Sequence, residues 1–373
     1  MQTVVYDTIE QLDPEEVAGL DGSPIDFSFG LLRAIEYSLW GHLSVRYLAV
    51  EDGGALIAFT PIYIGTNLNF NALMPRIVQS IYQRMITLLG EAAGYTVAIV
   101  GSLISDRGWI PAHPACDSRA ALRLMLPEID RIARAGGAHF CIVKDIHEEF
   151  PNADQFIAAG YTRMFSLPTV RAPVAFASFE DYLQSLSKNG RHHARKNFRK
   201  AEHKLACRFV DDYADLIPTA FPLFRRTYLK APYKFEELSA RFFAEMARTR
   251  HPRSRLLLCE KNGRAVGAAL LLLDAHTQQI KRIGIDYDQE DTGLIYNLLM
   301  YQSLQHAIEN NVDSLYLGQS SFTPKVRMGG HLEEQFLFLK GYSFMLRASF
   351  PAQKLWLNRY RAERVLAALD KGV

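Results

Sequence analysis

Arg46–Ile64 reads RYLAVEDGGALIAFTPIYI, and Arg255–Leu273 reads RLLLCEKNGRAVGAALLLL. Laid over each other without a gap, Arg46 meets Arg255, Leu48 meets Leu257, Glu51 meets Glu260 and Gly54 meets Gly263. Each copy is an apolar run, a polar turn containing glycine and a second apolar run, the pattern of a β-hairpin. A helix-rich stretch and a further strand follow both copies. The sequence therefore predicts a duplicated domain, with a ligand site at or near the junction of the two copies.

The bulk composition frames that reading. A chain of 373 residues is long for one hydrophobic core and sufficient for two. With 42 Lys and Arg against 40 Asp and Glu, the formal charge of +2 gives no overall argument for a nucleic-acid or anionic-membrane binder. Cys116, Cys141, Cys207 and Cys259 are scattered without CxxC spacing, so they read as free thiols of a reducing compartment. The N-terminus MQTVVYDTIE has no charged-then-apolar signal pattern, and the longest apolar run, Ala265–Leu273, is too short to span a bilayer. The expectation is a cytoplasmic protein without a transmembrane segment, divided into domains at residues 1–170 and 171–373.

Along the first half, helical spacing runs through Ser23–Trp40 and again through Met74–Leu89, and Thr96–Ser102 reads as a buried strand. A loop rich in Pro and Gly covers Ser105–Cys116. A helix then stops at Gly136-Gly137, and an apolar strand covers Ala138–Val143. In the second half, Ser178 is a candidate cap for a helix begun by FEDYL. Helices are expected over Phe221–Tyr228, Phe235–Thr249 and Thr292–Asn311, with strands at Gln278–Asp288 and Ser314–Gly318. A loop at Gln319–Gly330, a strand EQFLFL at Glu334–Leu339 and a last helix over Lys354–Leu369 complete the chain.

Three segments stand out chemically. Lys188–Lys204 holds Lys188, Arg191, Arg195, Lys196, Arg199, Lys200 and Lys204 with three histidines and a single acid, Glu202. On a helix Arg191, Arg195 and Arg199 share one face, a stripe suited to phosphates; a solvated helix face is the plainer reading. In QSSFTPKVRMGG, Gln319–Gly330, Lys325 sits on a loop after a strand. A desolvated Lys there would hold a developing oxyanion or drop its pKa, whereas an ordinary turn Lys would do neither. After GIDYDQED a helix begins at Thr292, presenting free N–H groups to an anion, with Asp286 or Tyr287 nearby to accept or donate a proton or merely to cap the strand. His147-Glu148 lacks a second His at metal-ligand spacing, and there is no Walker loop, GxGxxG or GxSxG motif, so no metal site is expected.

Tyr182–Lys200 (YLQSLSKNGRHHARKNFRK), the Arg255–Leu273 hairpin, Gly284–Leu299 (GIDYDQEDTGLIYNLL) and Ser314–Gly330 (SLYLGQSSFTPKVRMGG) together carry a resemblance. In that order they resemble the tandem-domain, Fem-like branch of the GNAT acyltransferase superfamily, the peptidoglycan-biosynthesis or CelD-like acetyltransferases. The likeness is best over Phe179–Gly341 and weaker before it. It implies an α/β (α+β) fold of two tandem GNAT-like domains, each a mixed, mainly antiparallel sheet flanked by helices. The first would be degenerate and the second would hold the donor site.

The implied activity is an N-acyltransferase moving an acyl or aminoacyl group onto a small-molecule amine. Its donor would be a co-substrate, acyl-CoA, an acyl carrier protein or aminoacyl-tRNA, with no cofactor tightly bound. The resemblance carries the recurring Arg of an S-x-x-x-R segment to Arg191, with Arg195 and Arg199 beside it on donor phosphates. It carries a Tyr in the helix after the fourth strand to Tyr296, and a Lys acting at the reacting carbonyl or phosphate to Lys325. Asp286 would share the proton chemistry with Tyr296, and Gly293 and Gln319 complete the donor-binding candidates. One departure is plain: a Q/R-x-x-G-x-G/A loop is replaced here by DQEDTGLIY, whose acids are expected to repel a pyrophosphate and so disfavour free acetyl-CoA. A non-catalytic RNA- or membrane-surface-binding protein on the same fold is the alternative.

Overall fold

The computed structural model describes residues 1–21, 25–39, 43–66, 95–231 and 237–361, so the helix expected over 74–89 lies outside the described residues. The first half runs β1 (Gln2–Tyr6), α1 (Pro14–Ala18), α2 (Phe29–Tyr37), β2 (Ser44–Asp52) and β3 (Ala55–Thr66). It continues with β4 (Thr96–Val100), α3 (Ser118–Ala135), β5 (Phe140–His147), α4 (Ala153–Ala158) and β6 (Thr162–Phe165). The second half holds β7 (Thr169–Pro173), α5 (Phe179–Ser185), α6 (Lys188–Ala201), β8 (Ala206–Val210), α7 (Ile217–Lys230) and α8 (Ala240–Arg248). It goes on through β9 (Arg253–Lys261), β10 (Arg264–Leu273), β11 (Thr277–Ile285), α9 (Thr292–Glu309) and β12 (Ser314–Gly318). Last come α10 (Phe322–Arg327), β13 (His331–Glu333), β14 (Gln335–Gly341) and α11 (Phe344–Tyr360).

Both quoted stretches form hairpins. Asp52 pairs with Ala55 and Lys261 with Arg264, leaving two-residue turns at Gly53-Gly54 and Asn262-Gly263. All four turn residues have positive φ, 60° and 90° in the first and 52° and 73° in the second. Two consecutive left-handed residues match the right-handed twist of the flanking strands, which is why Gly and Asn stand there. Helix starts follow local chemistry too. Asp117 accepts hydrogen bonds from the N–H groups of Arg119 and Ala120 at the head of α3, and Ser178 and Ser187 cap α5 and α6 from their hydroxyls.

The strands form two seven-stranded sheets, ordered β1-β2-β3-β4-β5-β14-β6 and β8-β9-β10-β11-β12-β7-β13. In each, the fourth and fifth strands run parallel and the other pairs are antiparallel. The sixth position is filled in the first sheet by β14, the last strand of the chain, and in the second sheet by β7, the first strand of the second half. β14 pairs with both β5 and β6, and β7 pairs with both β12 and β13. The described residues accordingly fall into two compact units, 1–168 with 334–361, and 169–333. A linear cut at 170/171 runs through β7 and assigns β14 to the wrong sheet. The reason is backbone pairing: β5 and β6 would otherwise present unpaired edges to each other.

Each unit has its own core. In the first, Leu122, Met125 and Ile129 of α3 pack on Val50, Ile62 and Val100, and Phe338 of β14 completes the cluster at 0 % exposure. In the second, Ile295, Leu298 and Leu299 of α9 pack on Leu257, Ala269 and Ile285. All four cysteines are free thiols, and Cys207 faces Cys259 directly across β8 and β9.

Because Phe338 lies 4.8 Å from Phe156 between ring centroids inside the first unit, Phe338→Ala should lower that unit's stability by about 3–5 kcal/mol. Hydrogen exchange should speed up in β5 and β6 while β9 and β10 stay protected. Equal loss in both units would refute the placement of β14 in the first sheet.

Candidate functional site

The second sheet opens at one point. β11 and β12 pair only from Thr277 with Ser314 to Gln279 with Tyr316, although β11 runs on to Ile285 and β12 to Gly318. Just past the last pair, Leu270 of β10 faces Arg282 and Leu271 faces Ile280, so Lys281 is the extra residue of a β-bulge. Lys281 is buried. Bulges re-aim strands and concentrate beside functional sites. In the first unit the equivalent place is filled by its own backbone. Gly108 N–H donates to Asp145 O at 2.7 Å, and His147 N–H donates to Gly108 O at 3.3 Å. A Cβ at Gly108 would collide with the main chain of Lys144 and Asp145, so glycine is needed there.

Lys325 borders the notch of the second unit. The expected loop Gln319–Gly330 contains the short helix α10, entered through Ser321 at a left-handed φ of 55°. Helix formation turns Lys325 inward, where it is 4 % exposed and its Nζ donates to Gly318 O, the last carbonyl of β12, at 3.1 Å. Gly330 N–H closes the turn on Lys325 O at 3.1 Å, and a Cβ on Gly330 would come within 2.5 Å of Val170 Cγ1. Gln319 follows Gly318 and is half-buried.

Tyr296 stands in the second turn of α9. Its hydroxyl is buried and meets no hydrogen-bond partner among the described residues. Burial first, and then the neighbouring Tyr287 hydroxyl, push its pKa well up, so the phenol remains protonated. Gly293, one turn earlier, is exposed, and a Cβ there would touch nothing. Asp291 does not cap the helix with its side chain.

The acids before α9 are occupied. Asp286 is buried and takes hydrogen bonds from Arg226 Nη1, from Gln289 Nε2 at 3.0 Å and from Asp288 N–H at 3.3 Å, with Arg264 at 3.8 Å. Its burial favours the neutral acid, but those hydrogen bonds and the two guanidinium charges outweigh it and hold the carboxyl below its ordinary value. That setting suits an anchor joining α7 to the end of β11 better than the proton acceptor expected from the sequence. Asp288 is 2.9 Å from Arg226 and Asp291 is 3.9 Å from Lys204. The repulsion expected for an anion at this helix start is therefore partly offset.

α6 lies between the elements that carry Tyr296 and Lys325. The Phe198 ring packs at a tilt 5.8 Å from Tyr301 of α9, Lys204 just past the helix reaches Asp291, and a Cβ on Gly190 would lie 3.4 Å from Arg327 O of α10. The preceding helix α5 joins the same corner, with Tyr182 donating to Met328 O at 3.1 Å. The arginine stripe is only partly open. Arg191 donates to Gln184 Oε1 at 2.6 Å and Arg195 to Glu180 Oε1 at 2.5 Å, tying α6 to α5. Lys188, Lys196, Arg199 and Lys200 are exposed and have no ion-pair partner among the described residues. Partial burial and the Arg327 charge hold His193 on this helix below its usual 6.5.

Sequence reasoning did not find Arg226 or Lys281, nor a buried polar chain beneath α9. Arg255 Nη1 donates to His306 Nε2 at 2.6 Å, His306 Nδ1 lies 2.7 Å from Gln278 Oε1, and Gln278 Nε2 donates to Ser303 O at 2.7 Å. The Gln278-Gln279 pair at the start of a strand that pairs on both sides was the available signal. Arg226 had none, because its partner is 60 residues away. Among the described residues no cluster of three or more His, Cys, Asp or Glu could hold a metal ion, and no helix is long and apolar enough to cross a membrane.

Two sheets of this order, one opened beside a bulge and one filled, define a tandem fold of two GNAT-like units. More narrowly, the chain belongs to the FemAB-like family, described as peptidoglycan biosynthesis/recognition, whose model matches residues 107–321. The structure of FemX superposes with a TM-score of 0.63 at 12 % identity, over 95 % of this chain and 100 % of that one. The C-terminal domain of a putative lysylphosphatidylglycerol synthetase from Agrobacterium fabrum gives 0.56 at 12 % identity, over 94 % and 96 %. These likenesses concern the fold. Putative 8-amino-7-oxononanoate synthase 2 from two strains of Mycobacterium tuberculosis is 26 % identical over 226 residues, 57 % of this chain. The chain spans only 29 % of the length of those relatives.

Burial, with the Arg255 and Arg253 charges, depresses His306 to about 4 from 6.5. Between those values the unfolded chain binds the extra proton, so stability rises with pH across 4 to 6.5 and is complete above it. Denaturation midpoints of the second unit should follow that slope, and His306→Gln should flatten it. A slope unchanged in the variant would assign the effect elsewhere.

Proposed function

We propose that the second unit transfers an acyl group from a thioester or ester donor to a primary amine at the notch where β11 parts from β12. The observation that carries this reading is two buried polar groups on the elements around the notch. They are the Lys325 ammonium, turned in at the end of β12, and the Tyr296 hydroxyl, without a protein partner on α9. The amine nitrogen attacks the donor carbonyl carbon, and the tetrahedral oxyanion accepts a hydrogen bond from Lys325. The carbon–sulfur or carbon–oxygen bond then breaks. Tyr296, kept protonated by burial, gives its proton to the leaving atom and regains one from the amine, so that donor and amine become amide and free thiol or alcohol. Asp286 and Arg226 hold the strand end, and positioning of the two substrates supplies much of the rate.

Acyl-CoA is the first donor to consider, because Asp286, Asp288 and Asp291 lie against Arg226 and Lys204, which weakens the opposition of this helix start to a pyrophosphate. Aminoacyl-tRNA is the second reading. It is favoured by exposed cations spread from Lys188 to Lys200, about 18 Å of helix and longer than a pyrophosphate, and by membership of the FemAB-like family. Both donors place the reaction in the cytoplasm. The acceptor is an amine on a peptidoglycan precursor, following the family description. The compound in the curated relatives' name, 8-amino-7-oxononanoate, is itself a primary amine and belongs in the screen.

Purified protein is to be assayed for donor consumption with acetyl-CoA, a long-chain acyl-CoA and aminoacyl-tRNA against these amines. Lys325→Met should lower turnover roughly 10²–10³-fold. Tyr296→Phe should lower it roughly 10²-fold while leaving stability unchanged or raised, since it deletes a buried hydroxyl that nothing in the protein satisfies. Full turnover in both variants would overturn these roles. Binding of donor or RNA without donor consumption would instead support the non-catalytic reading.

A further inference from the structure

α11 is apolar on both sides. Its inner face packs Phe350 and Leu357 at 4 % and 5 % exposure, and Leu346 approaches Gly341 of β14 so closely that a Cβ there would lie 3.0 Å away. Its outer face carries Phe344 at 77 % and Leu355 at 73 % exposure, the highest among the large apolar side chains described. The other exposed ones, such as Ile157 at 54 % and Leu229 at 49 %, stand singly. At helical spacing Phe344, Ala348, Pro351 and Leu355 form one stripe about 16 Å long, and all four are exposed. A helix with a second apolar stripe opposite its buried face normally has a partner for that stripe too.

Charge indicates the partner. Phe344–Tyr360 contains Arg347, Lys354 and Arg359 and no Asp or Glu. On the helical wheel Arg347 and Lys354 run along one edge of the stripe and Arg359 along the other, and all three are exposed. Apolar side chains down the centre with cations at both margins suit the boundary between lipid tails and anionic head groups, where long basic side chains reach outward to phosphates. A second copy of the chain fits poorly, because two such faces would bring like charges together with no acid between them. α6 lacks the first half of the pattern: its exposed face is basic but carries no large apolar side chain.

We propose that α11 is an interfacial helix that seats the first unit on anionic phospholipid bilayers. Phe344 and Leu355 enter the head-group boundary, and Arg347 and Lys354 contact lipid phosphates. The proposal is independent of the transfer reaction, since none of these residues belongs to the notch of the second unit.

The test is co-sedimentation of the full chain with vesicles of phosphatidylglycerol and phosphatidylcholine in equal parts, and with phosphatidylcholine alone. Binding is expected only to the anionic vesicles, weakening with salt. Arg347→Gln with Lys354→Gln should reduce it roughly tenfold or more, and Phe344→Ser with Leu355→Ser should abolish it. Both are surface changes, and unaltered melting curves would confirm that the fold is kept. Equal binding to neutral vesicles, or no loss in the Phe344→Ser, Leu355→Ser variant, would overturn the proposal. So would a concentration-dependent dimer in the wild type that this variant no longer forms, which would make a second copy the occupant.

Discussion

Backbone hydrogen bonding between halves of the sequence is the constraint on which this structure depends. β5 and β6 are joined only through β14, and β12 and β13 only through β7. A strand with unpaired N–H and C=O groups inside a sheet is costly, so the first sheet is incomplete until β14 arrives from the end of the chain, and the second until its own first strand, β7, lies between β12 and β13. The insertion of β7 also shapes the site. With β7 paired along one side of β12, the end of β12 is held in place, and the opening can form only on its other side, toward β11.

Duplication produced two such places, and the chain treats them differently. In the first unit Gly108 bridges to Asp145 and His147 and fills the gap with peptide groups. In the second, the bulge at Lys281 and the short β11–β12 ladder leave it open. Polar groups gather around the open copy: Lys325 on Gly318 O, the unpartnered Tyr296 hydroxyl, and Asp286 beneath Arg226. Their division of labour follows from environment. The carboxylate that is surrounded by donors stays charged and anchors the strand end, while the phenol with no partner stays protonated and available. Arg226 and Lys204 offset the acids beside the helix start, so the local potential there differs from the one implied by DQED alone.

Much of the fold was legible because its signals are local. The Gly-Gly and Asn-Gly turns, the Ser178 cap and the glycine stop after α3 act within a few residues, and the chain obeys each of them. Lys325 was singled out by its place after a strand, but the short helix that turns it inward was not foreseen. Arg191 and Arg195 looked like open phosphate ligands on helical spacing alone. Their partners, Gln184 and Glu180, sit on a separate short helix whose packing against α6 the spacing does not encode.

The sequence by itself determined the duplication, the hairpins and their turns, most of the helices of the second half, the near-neutral charge and the segments around which chemistry gathers. These rest on periodicity, φ preferences and residue type, which operate along the chain. Only the tertiary structure decided which sheet β14 and β7 complete, which copy of the gap stays open, and which charges are spent on one another. Those outcomes depend on partners far apart in sequence, Arg226 with Asp286 or Phe338 with Phe156, that become neighbours only when the sheets form. Pairing energy between such groups exists only at contact distance, so no local pattern carries it.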